Sequence, residues 1–428
     1  MKKFSPDAYL TGLNVDVMHF GLEAITGLLS RFSRPQNDYP AIHIAGTNGK
    51  GSTAAMTASI LRRAGYRVGL YTSPHLVDVR ERIVVNGRKI PHRDFSGILA
   101  EIKERADQPV TYFEVLTAAA FIYFQRQKVD IAVLEVGLGG RLDATNVCQP
   151  LVSVITNISL EHTAYLGKTL AAIAGEKAGI IKKNGICVTA ARQKKVVDVL
   201  TDVCRQRHAD LLRLGTDFKI SSNRNGRVFY TGRNRTIKEL TLPFLGRHQL
   251  DNAALALAVA EILNDKGYQI DEGAVQKGLL QTRWEARLEI LRSTPMFLLD
   301  GAHNPAGMAT LCRVLEKEFA GRRLILIFSA LADKHYRQML RRIGPLACQI
   351  FLPPLKTNRA ASPQMLADIL KRMDCPARIS ESVQDAVGRA LQMAGKNDLI
   401  CACGSLYLAG EIKQLFPEII CCDKKSAR

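Results

Sequence analysis

Short apolar runs rich in Val, Ile and Leu recur at residues 41–45, 67–71, 130–135 and 152–156. Each is too brief for a buried helix and reads as a buried strand. Helical patterns fill the stretches 53–64 and 113–127 between them. Strands alternating with helices predict a mostly parallel sheet covered on both faces. From 215 to 243 the texture changes: Ser, Asn, Arg and Gly mix with short alternating runs such as Arg227-Val228-Phe229-Tyr230. That predicts a small antiparallel excursion, followed by a helix over 248–263. A second strand–helix series then begins. Its strands are Phe297 to Asp300, 324–328, and segments near 349–352 and 398–402, with a helix over 305–319. The polar stretch Arg292-Ser293-Thr294-Pro295 separates the two series. It predicts an N-terminal domain over 1–292, a linker over 293–296 and a C-terminal domain over 297–428.

Composition changes this picture little. The chain has 428 residues, enough for two or three domains with real cores. No apolar stretch reaches transmembrane length, and no long apolar run follows Lys2-Lys3, so neither a membrane partner nor a signal peptide is expected. The ten cysteines form no CxxC pair, which argues against zinc fingers and disulfide frameworks. Free thiols in a reducing cytoplasm are the expectation. The formal charge of +19 suits either nucleic acid or small anionic substrates. The basic residues are spread along the chain and no RNA-binding aromatic signature accompanies them, so no nucleic-acid partner is expected.

The first candidate chemistry lies between the strand 41–45 and the helix after it. Gly46-Thr47-Asn48-Gly49-Lys50-Gly51-Ser52 is a glycine loop with a lysine and a hydroxyl. Glycines let backbone amides approach phosphate oxygens, and the helix N-terminus adds positive potential. The lysine supplies a point charge, and Ser52 can reach the magnesium of a nucleotide. The spacing departs from the usual phosphate loop, because two residues separate Gly46 from Gly49 and Gly51 intervenes before Ser52. The fold class expected is therefore α/β. It comprises an N-terminal phosphate-loop ATPase-like domain with the antiparallel excursion, and a C-terminal Rossmann-like α/β domain.

Other candidates sit at strand ends, where open α/β sheets bind ligands. Glu135 ends an apolar strand, as an acid presented to magnesium does. Gly137-Leu138-Gly139-Gly140-Arg141-Leu142-Asp143 follows it. His162 follows the strand 152–156, although magnesium prefers oxygen ligands. Asp300-Gly301-Ala302-His303-Asn304-Pro305 repeats the strand–loop–helix logic in the second series, with Asp300 suited to ribose hydroxyls and His303 and Asn304 to a base or a second substrate. Ser405 is placed to bind a carboxylate at a helix N-terminus.

Taken in order, these motifs resemble the folylpolyglutamate synthases and dihydrofolate synthases of the Mur ligase superfamily, from about residue 8 to about 412. The glycine between Lys50 and Ser52 is that family's phosphate loop. Tyr71-Thr72-Ser73-Pro74-His75-Leu76, Thr111-Tyr112-Phe113-Glu114, Glu135 to Asn146, Glu176-Lys177-Ala178-Gly179-Ile180, Asp300 to Pro305 and Gly404-Ser405-Leu406-Tyr407 complete the match. The resemblance implies that Thr47, Asn48, Gly49, Lys50, Gly51 and Ser52 hold the ATP phosphates. It implies that Ser52, Ser73, Glu135 and His162 hold magnesium, with two ions expected. Lys177 resembles a lysine that becomes N6-carboxylysine; Lys50, Lys177 and His162 would be the catalytic set. Arg287, Asp300 and His303 should contact ATP, Ser405 the incoming glutamate, and Thr111, Tyr112, Phe113 and Glu114 the folate or pterin.

Three positions depart from the family pattern. Glu285 stands where Pro is frequent, Glu161 precedes His162 where Asp is common, and His19 falls where some bifunctional members carry an Asp near the pterin. The implied activity is ATP-dependent addition of L-glutamate to dihydropteroate and to reduced folates through an acyl phosphate, by a monomer. The alternatives are polyglutamylation alone, a cell-wall precursor ligase, which Gly51 argues against, and a nucleic-acid-dependent ATPase.

Overall fold

The computed structural model describes residues 4–13, 21–223 and 225–426, and from 417 onward only the backbone. His19 lies outside the described residues. The chain divides into two compact units. The first comprises residues 1–75, 79–243 and 247–283; the second comprises 76–78, 244–246 and 284–428.

The first unit is built on an eight-stranded sheet. Its strands are β1 (Ala41–Ala45), β2 (Val68–Tyr71), β3 (Ile83–Val85), β4 (Arg88–Lys89), β5 (Ile131–Glu135), β6 (Pro150–Ile155), β7 (Ile186–Thr189) and β8 (Asp210–Arg213). Their order is β4-β3-β2-β5-β1-β6-β7-β8. All are parallel except β3, which pairs antiparallel with β2 and with β4. β1 and β5 are buried at every position, including His43 in the middle of β1 and Glu135 at the end of β5. Register brings their ends level: Ile44 sits opposite Glu135 on β5 and Val154 on β6. The chain leaves β1 toward β2 on one side, whereas β5 connects to β6 on the other. The loops after β1, β5 and β6 therefore emerge at a topological switch point, the place where such sheets bind ligands.

The helix after β1, α1 (Lys50–Arg63), starts earlier than its periodicity predicts and takes Lys50, Gly51 and Ser52 into its first turn. It is buried continuously from Gly51 to Leu61. Its Gly, Ala, Ser and Thr content permits that: Gly278 of the helix 272–280 packs so closely that an added Cβ would stand 2.5 Å from the Ile60 Cα. Helix α2 (Tyr112–Arg126) packs Val115 to Phe124 into the core on the sheet's other face. The predicted excursion is a three-stranded antiparallel sheet of β9 (Lys219–Ser222), β10 (Val228–Thr231) and β11 (Thr236–Leu240).

The second unit is a six-stranded sheet. Its strands are β12 (Glu289–Ser293), β13 (Met296–Leu299), β14 (Leu324–Phe328), β15 (Ala347–Leu352), β16 (Ala377–Ile379) and β17 (Leu399–Cys403), in the order β12-β13-β17-β14-β15-β16. Only β12 is antiparallel. It corrects the expected domain boundary: residue 292 falls inside β12, and 293–296 is the turn of the β12–β13 hairpin rather than a linker. The unit begins at Trp284. Glu289 to Ser293 reads Glu-Ile-Leu-Arg-Ser, neither a strict alternation nor an unbroken apolar run, so this edge strand carries no clear strand period in the sequence. Among the described residues no helix is long and apolar enough to cross a membrane, and the described cysteines are free thiols.

Candidate active site

The loop after β1 is held from two sides. Gly46 adopts φ +148°, and a Cβ there would stand 1.8 Å from Thr156 Oγ1. Gly49 adopts φ +85°, and a Cβ there would stand 2.3 Å from Asn252 Oδ1. Both positions demand glycine, for space and for backbone conformation. The segment after β6 carries the rest of the loop's bonds. Asn157 O accepts the Thr47 amide at 2.9 Å, and Asn157 Oδ1 accepts the Asn48 amide at 3.0 Å. Thr156 Oγ1 donates to Asn48 O at 2.7 Å, and the Ser159 amide donates to Thr47 Oγ1 at 3.0 Å. Asn252 and its partner Gln249, on the helix α3 (His248–Asp265), back the loop from the other side. Among the described residues no side chain caps α1, so the amides of its first turn point outward with the helix dipole behind them.

Two ammonium groups converge on this loop. Lys50 Nζ donates to Gly46 O at 3.1 Å and to Thr47 O at 3.3 Å. Lys177 Nζ donates to the same Gly46 carbonyl at 2.9 Å. Lys177 is buried, and burial pushes its pKa down to about 7, with the charge of Lys50 adding to the effect. Glycines place it there. Gly140 would clash with the carbonyls of Glu176 and Lys177 if it carried a Cβ, and Gly179 would meet the Arg141 Cα at 2.4 Å. The loop after β5 thus lies directly against the end of the helix 170–178. The Arg141 amide bonds Glu176 O at 2.8 Å, and the two side chains form an ion pair at 2.8 Å.

Glu135, buried at the end of β5, accepts the Ser73 amide at 3.1 Å. Asp143 is fully buried, which raises its pKa. The amides of Leu138 (2.9 Å) and Thr145 (3.0 Å) and the Thr145 hydroxyl bond its carboxylate and oppose that rise. Thr145 also meets His43 Nε2 at 2.8 Å, so a buried histidine on β1 braces the turn after β5. His162 sits in a left-handed backbone conformation, φ 52°, with Nε2 3.9 Å from Glu161 Oε1.

Thr111 and Glu114, read above as folate-side residues, are engaged with each other. Thr111 accepts the Glu114 amide at 3.2 Å, and Glu114 accepts the Thr111 amide at 2.7 Å. This capping box starts α2, and its Thr-x-x-Glu signature is present in the sequence. Tyr112 and Phe113 remain half-buried beside it. Phe113 packs against Gly137 and 6.1 Å, centroid to centroid, from the ring of Tyr71.

In the second unit, Arg287 lies between two strained residues, Ala286 (φ 52°) and Leu288 (φ 51°). Carboxylates pin both. Glu289 accepts the Ala286 amide at 2.8 Å, and Asp300 accepts the amides of Leu288 and Ala302 at 2.9 Å each. Burial raises the Asp300 pKa; the charge of Arg287 and these bonds oppose it. A ribose hydroxyl would share oxygens that already hold this turn. His303 Nδ1 lies 2.8 Å from Gly301 O, and Asn304 caps the helix 305–318 by accepting the Gly307 amide at 2.7 Å. Ser405 is buried and its hydroxyl accepts the Tyr407 amide at 3.1 Å, at the start of the helix 406–426. Glu285, in place of the frequent Pro, pairs with Lys413 at 3.2 Å.

Among the described residues no three His, Cys, Asp or Glu side chains gather into a preformed metal cage. Magnesium keeps several waters and takes one or two carboxylates together with substrate phosphates. Glu135, a buried carboxylate at a strand end beside the loop, is a group of the chemistry that magnesium takes. The bracing residues Thr156, Asn157, Ser159, Gln249 and Asn252 were missed in the sequence; only the position of 156–159 just past a strand end hinted at them.

Fold and site together define a phosphate-loop ligase of the Mur type. The model of the Mur ligase middle domain matches residues 44–260, and that of the Mur ligase glutamate ligase domain matches 286–406. The dihydrofolate synthase/folylpolyglutamate synthase of Bacillus subtilis is 36% identical over 409 residues, covering 92% of this chain and 94% of its own. The Escherichia coli protein of the same name is 31% identical over 409 residues, covering 95% and 94%. A longer Haloferax volcanii relative is 38% identical over 412 residues; the chain spans about half of it, 48%. The structure of Escherichia coli FolC in complex with DHPP and ADP superposes with a TM-score of 0.89 at 31% identity, covering 96% of each chain. The Mycobacterium tuberculosis folylpolyglutamate synthase complexed with ADP and AMPPCP gives 0.88 at 34%, covering 96% and 97%. The chain belongs to the dihydrofolate synthase/folylpolyglutamate synthase family of ATP-dependent ligases.

Proposed function

We propose that the chain joins L-glutamate to dihydropteroate and to reduced folates at the expense of ATP. The observation that carries this reading is the convergence of Lys50 and Lys177 on the Gly46 carbonyl of a glycine-locked loop. A carboxylate and an ammonium do not condense in neutral water. Transfer of the γ-phosphoryl group of ATP to the acceptor carboxylate gives an acyl phosphate. The deprotonated glutamate amine then attacks the acyl carbon, phosphate leaves and an amide remains. The residues Thr47 to Ser52 cradle the triphosphate, and Lys50 neutralises charge as it shifts, the term that dominates phosphoryl transfer.

Magnesium bound by Ser52, Ser73, Glu135 and His162 would screen the phosphate oxygens. Lys177 supports a further reading. With its pKa near 7, much of it is the neutral amine at physiological pH. A neutral amine adds carbon dioxide to give a carbamate and a proton. N6-carboxylysine would place an anion where the loop otherwise faces the Lys50 ammonium and the Lys177 amine, suited to a second magnesium. Arg287, Asp300 and His303 are assigned to the nucleotide, Ser405 to the glutamate, and Tyr112 and Phe113, more than Thr111 and Glu114, to the folate. The protein acts as a monomer in the reducing cytoplasm, a setting its free thiols suit, with neither nucleic acid nor membrane as partner.

Phosphate release tests the reading. It should require glutamate and a pteroate or folate acceptor together. Release that nucleic acid stimulates, with no dependence on glutamate, would overturn it.

A further inference from the structure

Arg82 is buried, at 8% exposure, in the turn between β2 and β3. Its Nε donates to His75 Nδ1 at 3.0 Å, which fixes His75 as the tautomer with a bare Nδ1. Its guanidinium lies over the Tyr112 ring, 5.5 Å from the centroid. Among the described residues no carboxylate pairs with it; beside these two contacts its charge acts on the Tyr71 hydroxyl. A buried guanidinium normally has a carboxylate, because desolvating an unpaired charge is costly. A ring face and a neutral imidazole repay only part of that cost. The two terminal NH2 groups form a planar fork matched to a carboxylate.

The surroundings say which carboxylate. Tyr112 adjoins Phe113, which packs against Tyr71 and Gly137, so the fork borders an aromatic wall. Arg82 shares no partner with the phosphate loop, whose own cations, Lys50 and Lys177, converge on Gly46. We propose that Arg82 is a specificity residue of the acceptor site, binding the unreactive α-carboxylate of a folate's terminal glutamate while the γ-carboxylate reacts. This rests on the ligase reading above. Dihydropteroate has only the carboxylate that reacts and gives Arg82 no such partner. The residue therefore separates the two acceptors: it favours chain extension over the first addition.

The test compares both acceptors in wild type and in Arg82→Gln. The ratio of kcat/KM for tetrahydrofolate to that for dihydropteroate should fall by about tenfold or more, the worth of a charge-assisted hydrogen bond. The fall should come from the tetrahydrofolate KM. The KM for L-glutamate should hold, and Arg82→Lys should recover part of the loss. An unchanged ratio, or a loss expressed in the glutamate KM, overturns the proposal. A second measurement needs no variant: wild type offered tetrahydrofolate with its α-carboxylate converted to the amide should lose a similar factor. Arg82→Gln should then show little further loss on that analogue, since the partner is already gone. Full wild-type activity on the amide overturns the proposal. Wild type that ligates neither acceptor removes the ligase reading itself, whereas ligation of both with a level ratio removes only the role of Arg82.

Discussion

Two turns in this molecule hold a charged side chain, and they are built by opposite means. The phosphate loop uses Gly46 and Gly49, residues that accept positive φ freely, and buries them where no side chain fits. The Arg287 turn uses Ala286 and Leu288, residues that resist positive φ, and forces them with the carboxylates of Glu289 and Asp300. The first turn is shaped by what is missing from its residues, the second by bonds made to it from elsewhere. The first should therefore fail through steric clash and the second through loss of a distant carboxylate.

The largest expected effect lies on the first turn. Lys50→Ala should lower kcat by about a hundredfold to a thousandfold, as removal of a charge-stabilising donor does. The fold should persist, because among the described residues Lys50 bonds only carbonyls of its own loop. Near-normal phosphate release from a folded variant would break the assignment. Gly46→Ala should act on stability as well, by about 1–3 kcal/mol in urea unfolding, since the Thr156 side chain must move. On the second turn, Asp300→Ala should cost about 1–3 kcal/mol by leaving the buried amides of Leu288 and Ala302 unpaired. Its kinetic signature should be a raised KM for ATP. If Gly46→Ala and Asp300→Ala proved equally harmless, the contrast between the turns would collapse.

A pH series sharpens the comparison at Lys177. Its folded pKa, about 7, lies below the ordinary 10.5. Below about 7 both folded and unfolded chains hold the proton, and the folded state bears the full cost of a buried charge. Between about 7 and 10.5 the unfolded chain keeps a proton that the folded chain has released, so stability rises with pH relative to Lys177→Met. That relative gain should be present above 10.5 and lost as pH falls to 7, read from denaturation midpoints of the two proteins. Parallel curves would remove the buried-amine picture. The smallest effect belongs to Thr111→Ala, about 1 kcal/mol for a lost cap.

The first turn was legible in the sequence because glycine records a backbone requirement directly, and the strand before it was a short apolar run interrupted only by His43. Asp300 was legible for the same reason, as a carboxylate at a strand end. The strain at Ala286 and Leu288 was not, since neither residue type signals positive φ. Lys177 looked like a surface lysine on a helix; the Gly140 and Gly179 contacts that bury it are made by distant parts of the chain. Thr111 and Glu114 carried a readable cap signature that the family resemblance overrode. Arg82 was silent because its meaning lies in a carboxylate it does not have. The boundary at 292 failed because Glu-Ile-Leu-Arg-Ser shows no clear strand period although β12 pairs with β13.

The central claim is tested most directly by weighing products. Wild-type protein with ATP, magnesium and L-glutamate should be given dihydropteroate or tetrahydrofolate in parallel. The account predicts that each acceptor becomes heavier by one glutamyl residue, with the tetrahydrofolate product able to gain more, and one phosphate released per addition. ATP hydrolysis with both acceptors returned at their starting mass would contradict it.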